Sequence, residues 1–473
     1  MARPTPGHDS GIDESLSTSV GIGFPRSSAP ASGSLTFRTM TEALFRLRER
    51  GSSLRIEILA GITSFLAAAY LLVVIPSLLA AGGVDRGAAT TVVILVLVGA
   101  TVFMALYANL PFMVGPGIGG SVLVGPTMAA TEHIPWQTGL GIAFWSSLFF
   151  VVLTVLGLRQ VIARMVPAQI KLALGAAIGL FIAVLGFKNA GLVGVNARTN
   201  SLMLGSFATP QAMVAMFGLC FAVFLRGRRV PGAILWAILG STLLGIPLGV
   251  TRLPASYFGI PHDISATAFQ LNFLEPLSLR YFPYLFAFFA SEFFSTLGTT
   301  LAVGAKAGLV DEYGNMENIG RPFVVDSVAA TISPILGVPS ATALVESATG
   351  AETGGRTGIT ALASAAMFAL MLLFTPVALM VPAAATAPAL ILVGLSMFGA
   401  LRRVDLDNFT EGLSAILMVL LTLLSNSFGT GIAGGMLFYV IIKVLAGEAK
   451  DVSIGMYVMA LPLAYYFWTV VGH

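Results

Sequence analysis

Between residues 56 and 446 the chain is a succession of about fourteen apolar runs, most of them of the roughly 17 to 25 residues that a helix needs to cross a bilayer. Lipid offers no partners to backbone N–H and C=O groups, so only helices and closed barrels can span it, and continuous runs of this length fit helices. Composition agrees: 56% of the residues are hydrophobic and 10% charged, far outside the range of a soluble domain. The expected fold class is an all-α polytopic membrane protein. The formal net charge of +3 arises in loops and the N-terminal arm, so it reports topology and gives no reason to expect a nucleic-acid partner. The single cysteine, Cys220, lies in an apolar run and excludes an intramolecular disulfide. His8 and His473 are terminal and His133 and His262 fall in connecting segments, so no metal centre and no buried histidine relay is expected.

Two of the runs, near 112–131 and 341–352, are too broken for a full span. They read "LPFMVGPGIGGS" from Leu110 and "GVPSATALVESATG" from Gly337, at comparable places in the two halves. Interrupted segments in corresponding positions point to a transporter's binding site at the bilayer midplane. The sequence therefore predicts a first seven-span repeat over 55–250 and a second over 281–446. Seven is odd, so the second repeat sits upside down relative to the first. With the N-terminus cytoplasmic, the inner side collects Arg159, Arg164, Arg226, Arg228, Arg229, Lys306, Arg321, Arg356, Arg402 and Arg403. The outer side holds only Arg86, Lys188, Arg198, Arg252 and Arg280, as the positive-inside rule requires. Residues 1–40, rich in Ser, Thr, Gly and Pro, read as a disordered tail. Residues 454–472 read as either an interfacial segment or an extra span. The G-x-G-x-x-G spacing at Gly115 has no strand-helix-strand context, so its glycines serve close backbone approach and not dinucleotide binding.

One carboxylate, Glu292, interrupts "YLFAFFASEFFSTLGTTLAVG". A charge at mid-membrane costs roughly 2.5 to 3.5 kcal/mol even on lenient scales, which marks it as functional. At about 100° per residue, Ser295, Thr296 and Thr299 lie within about 60° of it, with Phe288 and Phe289 a turn earlier. Glu346 is expected in the first turn of a half-helix beginning near Thr342 to Leu344, whose free N–H groups favour an acceptor. Asp326 reads as a structural residue near the interface, pairing Arg321 or Arg356.

Several stretches, "AGITSFLAAAYLLVVIPSLLAAGG", "YANLPFMVGPGIGG", "TLGTTLAVGAKAGLVDEYG", "VESATGAETGGRTGITA" and "ATAPALILVG" among them, resemble the nucleobase-cation symporter type 2 superfamily in its AzgA-like purine permease branch. The resemblance implies a 7+7 inverted repeat in which spans 1 to 4 and 8 to 11 form a core and the rest a gate. It also implies uptake of an uncharged nucleobase with a cation, usually a proton, through acidic residues on spans 8 and 10, which fall on Glu292 and Glu346. The candidate substrate site is Glu292, Glu346, Ser295 and Phe288, with Thr342, Gly119, Ser121 and Tyr70 around them, and Glu292 is the expected proton-coupling residue. Where the branch reads "FVDLFDTLGT" this chain reads "ASEFFSTLGT", and Ile75 and Ser121 stand where the branch has asparagines, so mechanism carries over more firmly than the particular base. No cofactor is implied beyond the co-transported proton or sodium ion. The implied setting is the cell membrane, with lipid around the protein and a homodimer compatible with it. A sulfate-transporter-like anion transporter or channel on the same fold is the alternative, though two buried carboxylates would serve an anion poorly. A membrane-embedded enzyme would need a nucleophile, metal cluster or cofactor motif, and the sequence offers none.

Overall fold

A computed structural model describes residues 42, 44–156, 167–195, 202–310, 316, 319–425 and 427–468. The expected N-terminal tail lies outside these residues, as do Arg159, Arg164 and Arg198. The first half contains α1 (Leu54–Ala81), α2 (Arg86–Ala108), strand β1 (Val114–Pro116) followed by α3 (Ile118–Thr131), then α4 (Trp136–Val155), α5 (Ala168–Asn189), α6 (Pro210–Gly227) and α7 (Ala233–Gly245). A hairpin of β2 (Val193–Val195) and β3 (Leu202–Leu204) joins α5 to α6. The second half repeats the pattern: α8 (Phe282–Lys306), α9 (Gly320–Leu336), β4 (Ala341–Ala343) followed by α10 (Ser347–Glu352), α11 (Gly358–Met380), α12 (Ala383–Arg403), α13 (Phe409–Ser425) and α14 (Phe428–Leu445). Among the described residues, α1, α2, α4, α5, α6, α11 and α12 are each long and apolar enough to cross a bilayer. The protein is a multi-pass membrane protein with a 7+7 inverted repeat.

The third element of each half is a strand and a short helix, and the two strands meet. β1 and β4 pair antiparallel with Gly115 opposite Thr342, which satisfies backbone groups that lipid could not. The strand lies close against α2: a Cβ on Gly115 would sit 2.2 Å from Leu97 Cδ2, so any larger residue would displace that side chain. Helix α1 is interrupted at Ala69–Tyr70, six residues before Pro76, whose missing N–H leaves the carbonyl of Leu72 without its helical donor. Helices α5 and α12 cross at backbone contact, since a Cβ on Gly394 would lie 2.5 Å from both Ala183 N and Gly179 O. Small residues at such crossings are what packing in lipid favours. The C-terminal segment left open by the sequence forms α15 (Ile454–Tyr466), which packs on α14 and α8 and buries Tyr466. At 13 residues, α15 is short for a span.

Candidate functional site: two carboxylates beside a strand pair

The strand pair fixes the site. Thr101 on α2 accepts from Val114 N at 3.0 Å and faces Val114 O at 3.2 Å, holding β1 to the bundle. Met113 N donates to Ser347 Oγ at 2.9 Å, and Leu344 N donates to Met113 O at 2.9 Å, which ties β1 to the start of α10. The half-helix begins at Ser347, later than the Thr342 to Leu344 expected from sequence. The reason is that residues 341–343 are held extended, paired with β1 and tied at Ala343 N to Asp326. Glu346 therefore precedes the helix and does not cap it with its side chain. It instead accepts at Oε1 from Tyr70 Oη at 2.6 Å, from the break in α1.

Glu292 stands on α8 and is 5% exposed. Its Oε2 accepts from Ser147 Oγ of α4 at 3.1 Å. Ser147 lies 2.9 Å from Ser340 Oγ, just ahead of β4. A hydroxyl has one proton to give, so when Ser147 donates to Glu292, Ser340 donates to Ser147. Glu292 Oε1 is buried and has no protein hydrogen-bond partner among the described residues. Ser340 and Glu346 flank β4, so the segment around this strand touches the Glu292 network at one end and carries Glu346 at the other. Phe288 is buried one turn before Glu292, and a Cβ on Gly120 would lie 3.4 Å from its ring and 3.2 Å from Pro339 Cβ. The start of α3 is thereby laid against that ring.

The remaining candidates divide. Gly119 lies in the first turn of α3 and is half-buried. Ser121 is buried, but its hydroxyl donates to Gly117 O at 2.9 Å within its own turn. Thr342 sits on β4 opposite Gly115, with only a 3.4 Å contact to Ala343 O for its hydroxyl. Ser295 is a residue of α8, and its side chain lies outside the described residues.

Asp326 corrects the sequence reading. It is fully buried on α9, accepts from Ala343 N at 2.6 Å through Oδ1 and from the Thr296 hydroxyl through Oδ2. It therefore joins β4 to α8, one turn from Glu292, and does not pair a surface arginine. Arg356 is engaged elsewhere: its Nη1 donates to Ala307 O at 3.3 Å, and its carbonyl accepts from Arg50 Nη1 at 2.8 Å. Glu57, not considered from sequence, is also fully buried. It accepts from Arg356 N at 3.1 Å, Thr357 N at 3.2 Å and Thr360 Oγ1 at 2.5 Å, capping α11 from another helix. The Thr296 stripe was the one available pointer to Asp326, and nothing in the spacing pointed from Glu57 to residue 357.

Buried carboxylates gathered around a strand pair and its half-helices fit a membrane transporter, and the chain belongs to the Permease family, whose model matches residues 55–447. This is the nucleobase-cation symporter type 2 family. The chain is 35% identical to a permease of Methanocaldococcus jannaschii over 90% of its own length and 98% of that protein. It is 32% identical to the adenine permease AdeQ of Escherichia coli, covering 88% and 94% of the two chains. It is also 32% identical to the guanine/hypoxanthine permease PbuG of Bacillus subtilis, covering 90% and 99%. Among solved structures, the transmembrane domain of the cyanobacterial bicarbonate transporter BicA superposes with a TM-score of 0.60 at 16% identity, over 81% of this chain and 97% of that one. Murine Slc26a9, an anion transporter, gives 0.59 at 11% identity over 89% and 74%. These two likenesses concern the fold alone.

Proposed function

We propose that this protein is a secondary active transporter, not an enzyme, that imports a purine nucleobase or similar flat heterocycle across the cell membrane with protons. The observation that carries the reading is Glu292 Oε1, a carboxylate oxygen buried in a membrane helix without a protein partner among the described residues. An uncompensated buried acceptor is costly, and a heterocyclic N–H or a proton offsets that cost. Glu346, held at one oxygen by Tyr70, supplies a second acceptor, and Phe288, buried one turn before Glu292, is the ring on which a base would stack once the site opens. The names of the bacterial relatives, adenine and guanine/hypoxanthine permeases, support a purine. The N-terminus is cytoplasmic in this reading, on the loop-charge argument, and lipid-facing surfaces leave room for a homodimer. Protons are preferred to sodium because Glu292 alone can load and release one. An anion carrier on this fold would find two carboxylates in its path.

Glu292→Gln separates coupling from binding. If Glu292 carries the proton, the variant in proteoliposomes exchanges labelled base across the membrane but fails to accumulate it under a pH gradient, because the empty carrier no longer deprotonates. Accumulation at near-normal rates would remove Glu292 from coupling. Equal loss of exchange and uptake would reduce it to a substrate contact.

A further inference from the structure

A cavity of about 180 Å³ opens at the start of α8, away from the two carboxylates. Its walls come from four places: Glu132 just after α3, Arg280 and Tyr281 just before α8 with Tyr284 on its first turn, Ser427 at the start of α14, and Tyr466 of α15. Tyr284 is eight residues before Glu292, about 12 Å along the helix, toward the end that the loop charges turn outward.

The polar groups in this cavity are partly committed. Tyr284 donates to Glu132 Oε2, and Tyr281 donates to Glu275 Oε1 at 2.6 Å. The Ser427 hydroxyl also faces the Glu132 carboxylate, but Glu132 Oε1 is buried and makes no hydrogen bond within 3.5 Å among the described residues. Arg280 lies 4.9 Å over the Tyr281 ring, with a guanidinium fork of five N–H donors. Tyr284 and Tyr466 meet edge to face at 6.2 Å, giving an aromatic wall. A cation would be repelled by Arg280 and an anion by Glu132. A neutral planar molecule with an N–H donor beside a ring or carbonyl acceptor satisfies both. The volume is many times what a single water needs, so the cavity has room for a small ring system.

We propose that this cavity is a second, outer binding site for a neutral flat heterocycle, which gives an N–H to Glu132 Oε1, accepts from Arg280 and packs on the tyrosine rings. The inference rests on the heterocycle reading above and adds a waiting position on α8 before the Glu292 site. Gly429 is part of its construction: a Cβ there would lie 2.7 Å from the hydroxyls of both Tyr284 and Tyr466.

The test is equilibrium binding of radiolabelled adenine and hypoxanthine to the full-length protein in nanodiscs. Two classes are expected, a tight one that Glu346→Gln abolishes and a weak one that Glu132→Gln weakens about tenfold, with the other class intact in each case. Glu132→Gln keeps an acceptor for Tyr284, and photolabelling of the unaltered protein with an azidopurine gives a second readout at residues 132, 284 and 466. A single class of one base per chain that Glu132→Gln leaves unchanged, with no label at those residues, overturns the outer site. Loss of the weak class in Glu132→Gln together with unaltered tight binding in Glu346→Gln supports the outer site and refutes the central one. A stabilisation by sodium without base that Glu132→Gln removes would assign the cavity to a cation and also overturn the proposal.

Discussion

Replacing Asp326 by alanine tests whether the site is held together from behind. The carboxylate takes the Ala343 N–H at 2.6 Å and the Thr296 hydroxyl, both in positions closed to water. Thr296 can turn its hydroxyl to a carbonyl one turn back in its own helix, so its loss is largely recovered. Ala343 N–H has no such recourse, because β4 uses its other side on β1, and a buried donor left unsatisfied costs about 1 to 3 kcal/mol. Taking about 2 kcal/mol, and placing all of it on the binding-competent arrangement of β4, the affinity for base should fall about thirtyfold. Asp326→Asn keeps an acceptor for Ala343 and can donate to Thr296 Oγ1, so it should stay within about fivefold of the parent. Labelled-base binding and thermal unfolding of the purified variants would measure both. Parent-like affinity and unfolding temperature in Asp326→Ala would refute the tethering argument. Asparagine as harmful as alanine would show that charge, not acceptor geometry, is what the position needs.

Glu346→Gln should weaken base binding at least about tenfold, since an amide nitrogen replaces one acceptor oxygen, while Tyr70→Phe should do less; competition binding ranks them, and the reverse order would contradict the assignment. Gly394→Ala should lower stability by about 1 to 3 kcal/mol, because its Cβ meets backbone of α5 that cannot yield, and detergent thermal unfolding reads this directly. In the loop before α8, Glu275 is held below the ordinary carboxylate value of 4.5, first by the Tyr281 hydroxyl and then by Thr138. The sign follows: its small, solvent-screened stabilisation is complete above that value and is lost as pH falls through the lower folded value. Unfolding temperatures of Glu275→Gln and parent should thus differ by a constant amount near neutrality and converge in acid.

The apolar runs made the membrane class readable, and the two Pro/Gly-rich interruptions made the broken third element of each half readable, because both are local properties. Glu292 stood out for the same reason. What escaped were contacts set by partners distant in sequence. Asp326 looked interfacial from its place early in α9, yet the backbone of β4 claims it. The half-helix start was misplaced because strand pairing, which no local pattern at Thr342 encodes, overrides the helical tendency of the following residues. Ser121 turns its hydroxyl to Gly117 within its own turn, which no local pattern announces.

The pairing of β1 with β4 also bears on how the protein is made. When the first seven elements have entered the bilayer, Thr101 already holds Val114, but the Met113 carbonyl and the backbone of Gly115 still await Leu344 and Thr342, which the ribosome has not yet translated. Such groups are expensive in hydrocarbon, so the half-finished protein carries a defect that only arrival of Ala341–Ala343 repairs. Completion of the transport pathway is then a single late event in biosynthesis, and a chain truncated before that strand presents quality-control proteases with an open backbone rather than a smaller working carrier.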